Sequence, residues 1–381
     1  MFNSDLIKKF ELRETPFYHY DLALLNKTLT EVKRLSEQYQ FQIHYAVKAN
    51  SNEVILKEIL KYQFGADCVS GNEVKLAIDM GFDSQHILFA GVGKTDKEIN
   101  YALSENIKAF NCESIQEIEV INELAQSHHC VTEIALRINP NVDAKTHKYI
   151  TTGLDENKFG INQSDLQQVI DKLPSLKNIK LTGLHFHIGS QITEMNVFKG
   201  LCLRVNQISN WFVEHGINIE YLNLGGGLGI NYQQPDTENI ADFETYFSIF
   251  NEFLERKNNQ QIHFELGRSI VAQCGNLISR VVYIKKGINT NFAILDAGMT
   301  ELMRPALYQS YHQIDNLVSE KASDKYDVVG PICESTDCFG KSVNLPETLR
   351  GDLIAIRSAG AYGEVMMSNY NLRDRNEAFY S

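Results

Sequence analysis

The sequence predicts an α/β chain: a (β/α)8 TIM-like barrel followed by a mostly β C-terminal domain. Three observations predict it. Short β-branched or aromatic runs alternate with amphipathic helical stretches from about Leu22 to Gly267. Reactive side chains and glycines recur just after those runs, where barrels of this kind build their sites. Beyond Gly267 the helical spacing gives way to strands separated by turns. A chain of 381 residues also exceeds one ordinary core. The expected division is a barrel over residues 22–267 and a β-sandwich-like domain over 268–381, joined by N-terminal residues 1–21.

In chain order, barrel strands are expected at Ile43–Val47, Phe64–Val69, His86–Ala90, Ala109–Asn111, Glu133–Ile138, Leu181–Ile188, Tyr221–Leu224 and Ile262–Leu266. Helices fall between them at Asn52–Tyr62, Asn72–Met80, Lys97–Ser104, Ser114–Ala125, Asp165–Leu173, Asn196–Glu214 and Asp242–Lys257. Ser51 or Asn52, Ser114 with Glu117 three residues on, and Ser164 are candidate caps. Eight strands, each followed by a helix or crossover, fit a closed parallel barrel better than an open sheet. Further strands are expected at Leu277–Ile284, Asn291–Leu295, Asp327–Val329 and Asp352–Arg357, with Phe17–Tyr20 joining them.

A formal net charge of −12 argues against nucleic-acid or anionic-membrane partners. The seven cysteines are an odd number, widely spread and without a CxxC pair, which predicts reduced thiols and a cytoplasmic location. The N-terminal segment lacks the apolar core of a signal peptide, and no apolar run approaches membrane-spanning length.

The strand ends carry the chemistry. Lys48 follows an apolar strand, where partial desolvation would let its amine lose a proton and form a Schiff base; taken alone, it reads as a snorkelling surface lysine. Gly225, Gly226 and Gly227 sit in the seventh strand's loop, a common phosphate position, although GGGLGI lacks dinucleotide-fingerprint spacing. His185 and His187 share a strand face, but no third ligand at comparable spacing accompanies them, so no metal site is expected. Glu265 would end a buried strand only beside a cation, either a protonated ring nitrogen or Arg268. In the β region, Cys333 stands beside Glu334 and Asp337, a setting that raises a thiol's pKa and suits a proton donor; a structural cysteine is the plainer alternative.

The motifs YAVKAN, GADCVSGNE, HFHIGSQ, LNLGGGLGI, ELGR, DAGMTELMRPALY, VVGPICESTD and GAYGEVMMSNYN follow one another over nearly the whole chain. In that order they resemble the diaminopimelate decarboxylases, within the alanine-racemase-like class of pyridoxal 5'-phosphate (PLP) enzymes. The resemblance implies a PLP-binding barrel with Lys48 holding the cofactor, His187 stacked on its ring and Glu265 paired with its nitrogen. It implies that Ser190, Gly225, Gly226, Gly227, Gly267, Arg268 and Tyr362 contact the phosphate or its surroundings. Arg268, Arg304, Tyr308, Glu334 and Tyr362 are implied substrate ligands, and Cys333 the residue that reprotonates the carbanion. Cys333 and Glu334 are implied to reach a partner subunit's active site in a homodimer. One position departs from the family pattern: Leu266 stands where EPGR has proline.

The implied reaction is decarboxylation of meso-2,6-diaminopimelate to L-lysine and carbon dioxide, the last step of lysine biosynthesis. Similar racemases carry arginine in place of Glu265, and ornithine-type enzymes carry CDGxD in place of CESTD. The alternatives are a decarboxylase for ornithine, arginine or a carboxylated polyamine, a catalytically silent PLP-binding protein, and a metal-dependent barrel hydrolase.

Overall fold

Strands buried on both faces are stable only when helices cover one side and their neighbours fill the other, and a closed barrel meets both demands. A computed structural model of the chain describes residues 2–142, 158–257 and 259–381. After β1 (Phe17–Tyr20) come β2 (Phe41–Ala46), β3 (Gly65–Cys68), β4 (Ile87–Phe89), β5 (Ala109–Cys112), β6 (Thr132–Arg137), β7 (Ile179–His185), β8 (Tyr221–Asn223) and β9 (Gln261–Leu266). Each of β2 to β9 pairs in parallel with the next, and β9 pairs back with β2 through registers such as Ile43 opposite Phe264, closing the expected barrel.

Inside the barrel large residues face small ones. Tyr221 packs with Leu88, Ala109 and Ala135, and its ring lies over Gly183 of the neighbouring strand. The His263 ring stacks between His44 and Tyr221, with centroids 4.9 and 4.7 Å away. Outer helices begin at caps. Asn52, Ser70 and Ser114 each accept a backbone N–H through the side chain, and Thr95 forms a capping box with Glu98. Ser164 does not cap. It lies within a 3-10 turn, Gln163–Asp165, and its hydroxyl donates to Asp165 instead.

The β region contains β10 (Gly275–Lys286), β11 (Asn291–Leu295), β12 (Ile314–Asn316), β13 (Ser323–Val329), β14 (Cys338–Pro346), β15 (Leu353–Ile356) and β16 (Phe379–Tyr380). The sheet order is β12-β15-β10-β11-β13-β14, and β1 joins it beside β10, as expected, with β16 on its other side. Three of these strands carry no legible periodicity: β12 and β16 are too short, and β14 mixes Lys341, Ser342 and Asn344 among its apolar residues. Phe10, Phe17, Ile278, Leu353 and Ala355 form a core of this sheet.

The chain divides into two compact units. One comprises Leu29–Gly229 with Asp242–Gly267; the other comprises Met1–Thr28, Ile230–Ala241 and Arg268–Ser381. The segment 230–241 thus belongs with the β sheet although it interrupts the barrel in sequence. Arg357 anchors it, bonding Asp236 at 2.8 Å and Asp315 at 2.9 Å. Among the described residues no helix is long and apolar enough to cross a membrane.

A Cβ at Gly183 would lie 2.3 Å from the Tyr221 ring. Gly183→Ala is expected to lower unfolding free energy by about 1–3 kcal/mol, read from the denaturant midpoint. An unchanged midpoint would mean that the ring has room to swing aside.

Candidate active site

In the barrel unit, Lys48 sits on a 3-10 turn, Val47–Ala49, one step past the end of β2. Its side chain is a third exposed and its ammonium donates to Asp67 Oδ2 at 2.8 Å, while the Asp67 side chain, from near the end of β3, is fully buried. Burial and the Glu265 charge push the Asp67 carboxyl up to about 6, against the opposing pull of Lys48. Gly267 packs beneath this turn: a Cβ there would lie 2.9 Å from the Ala49 Cβ and 3.1 Å from that of Ala46. Any side chain at 267 would push on the turn that carries the lysine.

Glu265 ends β9 as a buried carboxylate with three donors. Oε1 accepts from Asn223 Nδ2 at 2.6 Å and from Asn111 Nδ2 at 3.1 Å, and Oε2 accepts from His185 Nε2 at 3.1 Å. Burial alone would raise its pKa, but the His185 contact and the Lys48 charge reverse that and hold it well below the carboxylate range. Within the barrel unit the ion-pair partner of Glu265 is His185, at 3.1 Å.

The loops beyond β7, β8 and β9 are fixed by backbone contact. Strand β7 ends at His185, so His187 lies in the loop and not on a common strand face with it. Gly225 and Gly227 adopt φ of +66° and +101°, which side chains rarely tolerate. A Cβ on Gly226 would stand 2.2 Å from the Glu265 carbonyl oxygen, and one on Gly225 2.4 Å from that of Phe186. Ile192 N–H donates to Gly227 O and Gly229 N–H to Ile192 O, both at 2.9 Å, stitching the half-buried Ser190 segment to the glycine loop. His187 Nδ1 accepts from the Gly226 N–H at 3.4 Å. Desolvation, then the Arg137 and Lys48 charges, hold His187 well below its ordinary pKa, so it presents a flat neutral imidazole.

The β unit gathers the remaining expected residues into two groups. Arg268 and Arg304 are buried, and the Arg268 guanidinium lies 4.9 Å over the half-buried Tyr362 ring. Tyr308 is half-buried at the end of the Arg304–Tyr308 helix. Cys333 and Glu334 are exposed; the Cys333 backbone N–H donates to Asn371 Oδ1 at 2.9 Å.

Sequence reasoning missed Asp67, Asn111 and Asn223. Each is a polar residue at or near the end of a fully buried strand, the same signal that singled out Glu265, and applying it to every strand would have found them. Chemically, the barrel unit offers an amine beside a carboxylate, a fixed buried anion, a neutral ring and a glycine loop suited to an anion's close approach.

A family model described as pyridoxal-dependent decarboxylase, pyridoxal binding domain, matches residues 23–272. A diaminopimelate decarboxylase of Bacteroides thetaiotaomicron is 52% identical, with 98% of this chain and 97% of that protein covered. The crystal structure of diaminopimelate decarboxylase from Helicobacter pylori complexed with L-lysine is 39% identical, with a TM-score of 0.91, covering 98% of this chain and 93% of that one. The corresponding L-lysine complex from M. jannaschii is 36% identical, with a TM-score of 0.87 and coverage of 98% and 89%.

Because Glu265 holds its proton less tightly folded than unfolded, its contribution to stability is complete above its ordinary value of 4.5 and lost as pH falls. Asp67 acts in the opposite sense, its contribution being lost as pH rises through about 6, and the part of it due to burial persists when the Glu265 charge is removed. Glu265→Gln is therefore expected to flatten the acid limb of stability, measured as urea midpoints from neutral pH downward. Parallel acid limbs in the two proteins would mean that Glu265 is not ionised in the fold.

Proposed function

The chain belongs to the pyridoxal-dependent decarboxylases, and we propose that it releases carbon dioxide from meso-2,6-diaminopimelate to leave L-lysine, the last step of lysine biosynthesis. The cofactor is pyridoxal 5'-phosphate. The barrel residues fit it. The cofactor needs an amine, a flat group for its ring, an anion for its nitrogen and a cradle for its phosphate. Lys48, neutral His187, ionised Glu265 and the Gly225–Gly227 loop are suited to these four tasks. When bound, it supplies a conjugated ring that accepts the two electrons left on the α-carbon.

The chain's own residues then divide the work. Lys48 provides the attaching amine, and Asp67 keeps that side chain directed while the attachment is open. Glu265, fixed by three donors, favours a proton on the nitrogen it serves. Ser190, Gly267, Arg268 and Tyr362 complete the phosphate surroundings. Arg268 and Arg304 bind the carboxylate distal to the reacting carbon, with Tyr308 and Tyr362 beside it, and Glu334 balances the distal ammonium. Cys333 returns a proton to the α-carbon.

The observation that carries the substrate assignment is the pair of buried guanidiniums. Arg304 has no carboxylate bonded to it among the described residues, so a ligand's carboxylate would be its counter-charge. The exposure of Cys333 and Glu334 supports a homodimer in which each reaches its partner's active site. Seven free thiols support the cytoplasm.

Carbon dioxide release should occur with meso-diaminopimelate and not with ornithine, arginine or lysine. Arg304→Ala should raise KM for diaminopimelate by at least about tenfold, since charged hydrogen bonds are lost from a desolvated site. Turnover with unchanged KM in that variant sinks the distal-carboxylate role. Lys48→Ala and Cys333→Ala, each inactive alone, should regain activity when mixed and allowed to exchange subunits. A mixture that stays silent means that the sites are not shared.

A further inference from the structure

Within the β unit, the phenol oxygen of Tyr232 is the meeting point of two buried cations. Arg268 Nη1 donates to it at 2.7 Å and Arg304 Nη1 at 2.9 Å, and the Arg304 guanidinium lies 5.1 Å from the Tyr232 ring centroid. All three residues are under a tenth exposed. Tyr232 is presented by a turn in which Asn231 Oδ1 accepts the backbone N–H groups of Gln233 and Gln234.

The other polar partner of Arg304 is also neutral. His312 Nδ1 donates to the Arg357 carbonyl oxygen at 2.8 Å, which leaves Nε2 to accept from Arg304 at 2.9 Å. Burial, then the Arg304 charge, lower the His312 pKa to about 3, consistent with a neutral ring. Two guanidiniums desolvated at this separation repel each other, and one uncharged oxygen holds them together. A phenol oxygen has two lone pairs, one for each arginine. The two forks are thereby anchored to one oxygen.

We infer that Tyr232 is a positioning residue: it locks Arg268 and Arg304 into one carboxylate site and so selects substrates with a carboxylate far from the reacting carbon. This rests on the substrate reading above. Tyr232 acts through the arginines, and its ionisation state sets how much charge they offer. Burial raises its pKa, but the two arginines outweigh that and bring it below the ordinary 10.0. The groups facing it are Arg268, Arg304 and His312, and Arg268 also faces the phenols of Tyr308 and Tyr362. As pH rises, a Tyr232 phenolate would neutralise the cations and compete with a bound carboxylate. Affinity for dicarboxylates should therefore fall on the alkaline side.

The test is calorimetric binding of heptanedioate to the holoenzyme, with diaminopimelate kinetics alongside, in wild type and Tyr232→Phe. The variant keeps the ring against His312 and loses only the shared acceptor. Heptanedioate Kd and diaminopimelate KM should both rise about tenfold, with kcat within about twofold and cofactor absorbance unaltered. The alkaline fall in affinity should be present in wild type and absent in the variant. Unchanged or tighter heptanedioate binding, or an alkaline limb that survives in the variant, overturns the proposal. If Tyr232→Phe does not fold, wild type and a Tyr308→Phe/Tyr362→Phe double variant decide: affinity that stays level up to pH 10.0 in wild type, or an alkaline fall lost from the double variant, overturns it, and a fall below that pH kept by both upholds it. Loss of heptanedioate binding in the variant, with no diaminopimelate turnover even in wild type, would leave the anion site standing and remove the substrate reading.

Discussion

An ionised carboxylate inside a closed barrel is the constraint on which the rest of the barrel site depends. Glu265 keeps its charge there because three donors from three other strands saturate it, Asn111 on β5, His185 on β7 and Asn223 on β8. Removing any one would leave a charge short of partners in a medium that cannot solvate it. The same anion reaches further. It helps to raise the Asp67 carboxyl, which in turn receives the Lys48 ammonium. Electron-sink chemistry needs a fixed anion, and the barrel closure that brings four strand ends together is what makes one stable.

The glycines make this arrangement compact. Gly226 lets its loop touch the Glu265 backbone, Gly225 touches that of Phe186, and Gly267 lets the Lys48 turn settle onto the end of β9. Three loops are therefore held at contact distance without side chains between them. Leu266, which stands where the EPGR pattern has proline, is the buried last residue of β9 and pairs with Tyr45 of β2. The strand reaches that position, and Gly267 still makes its close contact.

The β unit solves a different problem. It buries the Arg304 guanidinium against the neutral Tyr232 and His312, with no carboxylate bonded to it among the described residues. A site of this kind rejects ligands that lack an anion, because binding them leaves that cation uncompensated. By contrast Arg357, equally buried, is bonded to both Asp236 and Asp315 and serves as a structural tie for segment 230–241. The contrast between Arg357, bonded to two carboxylates, and Arg304, bonded to neutral acceptors, separates scaffold from site within one unit.

Much of this was legible in the chain. Strand and helix periodicity is a property of neighbouring residues, so all eight barrel strands and their order could be read directly. Lys48, Glu265 and the three glycines stood out because each is an unusual residue at a strand end. What only tertiary structure decided is who meets whom. The donors to Glu265 lie 42, 80 and 154 residues away along the chain, and their convergence depends on strand register and closure. Tyr232 falls within the expected barrel span 22–267, but its segment belongs to the β unit, where two arginines bond its oxygen. Local pattern carries short-range information, whereas a hydrogen bond between distant residues exists only once the fold has set both ends in place.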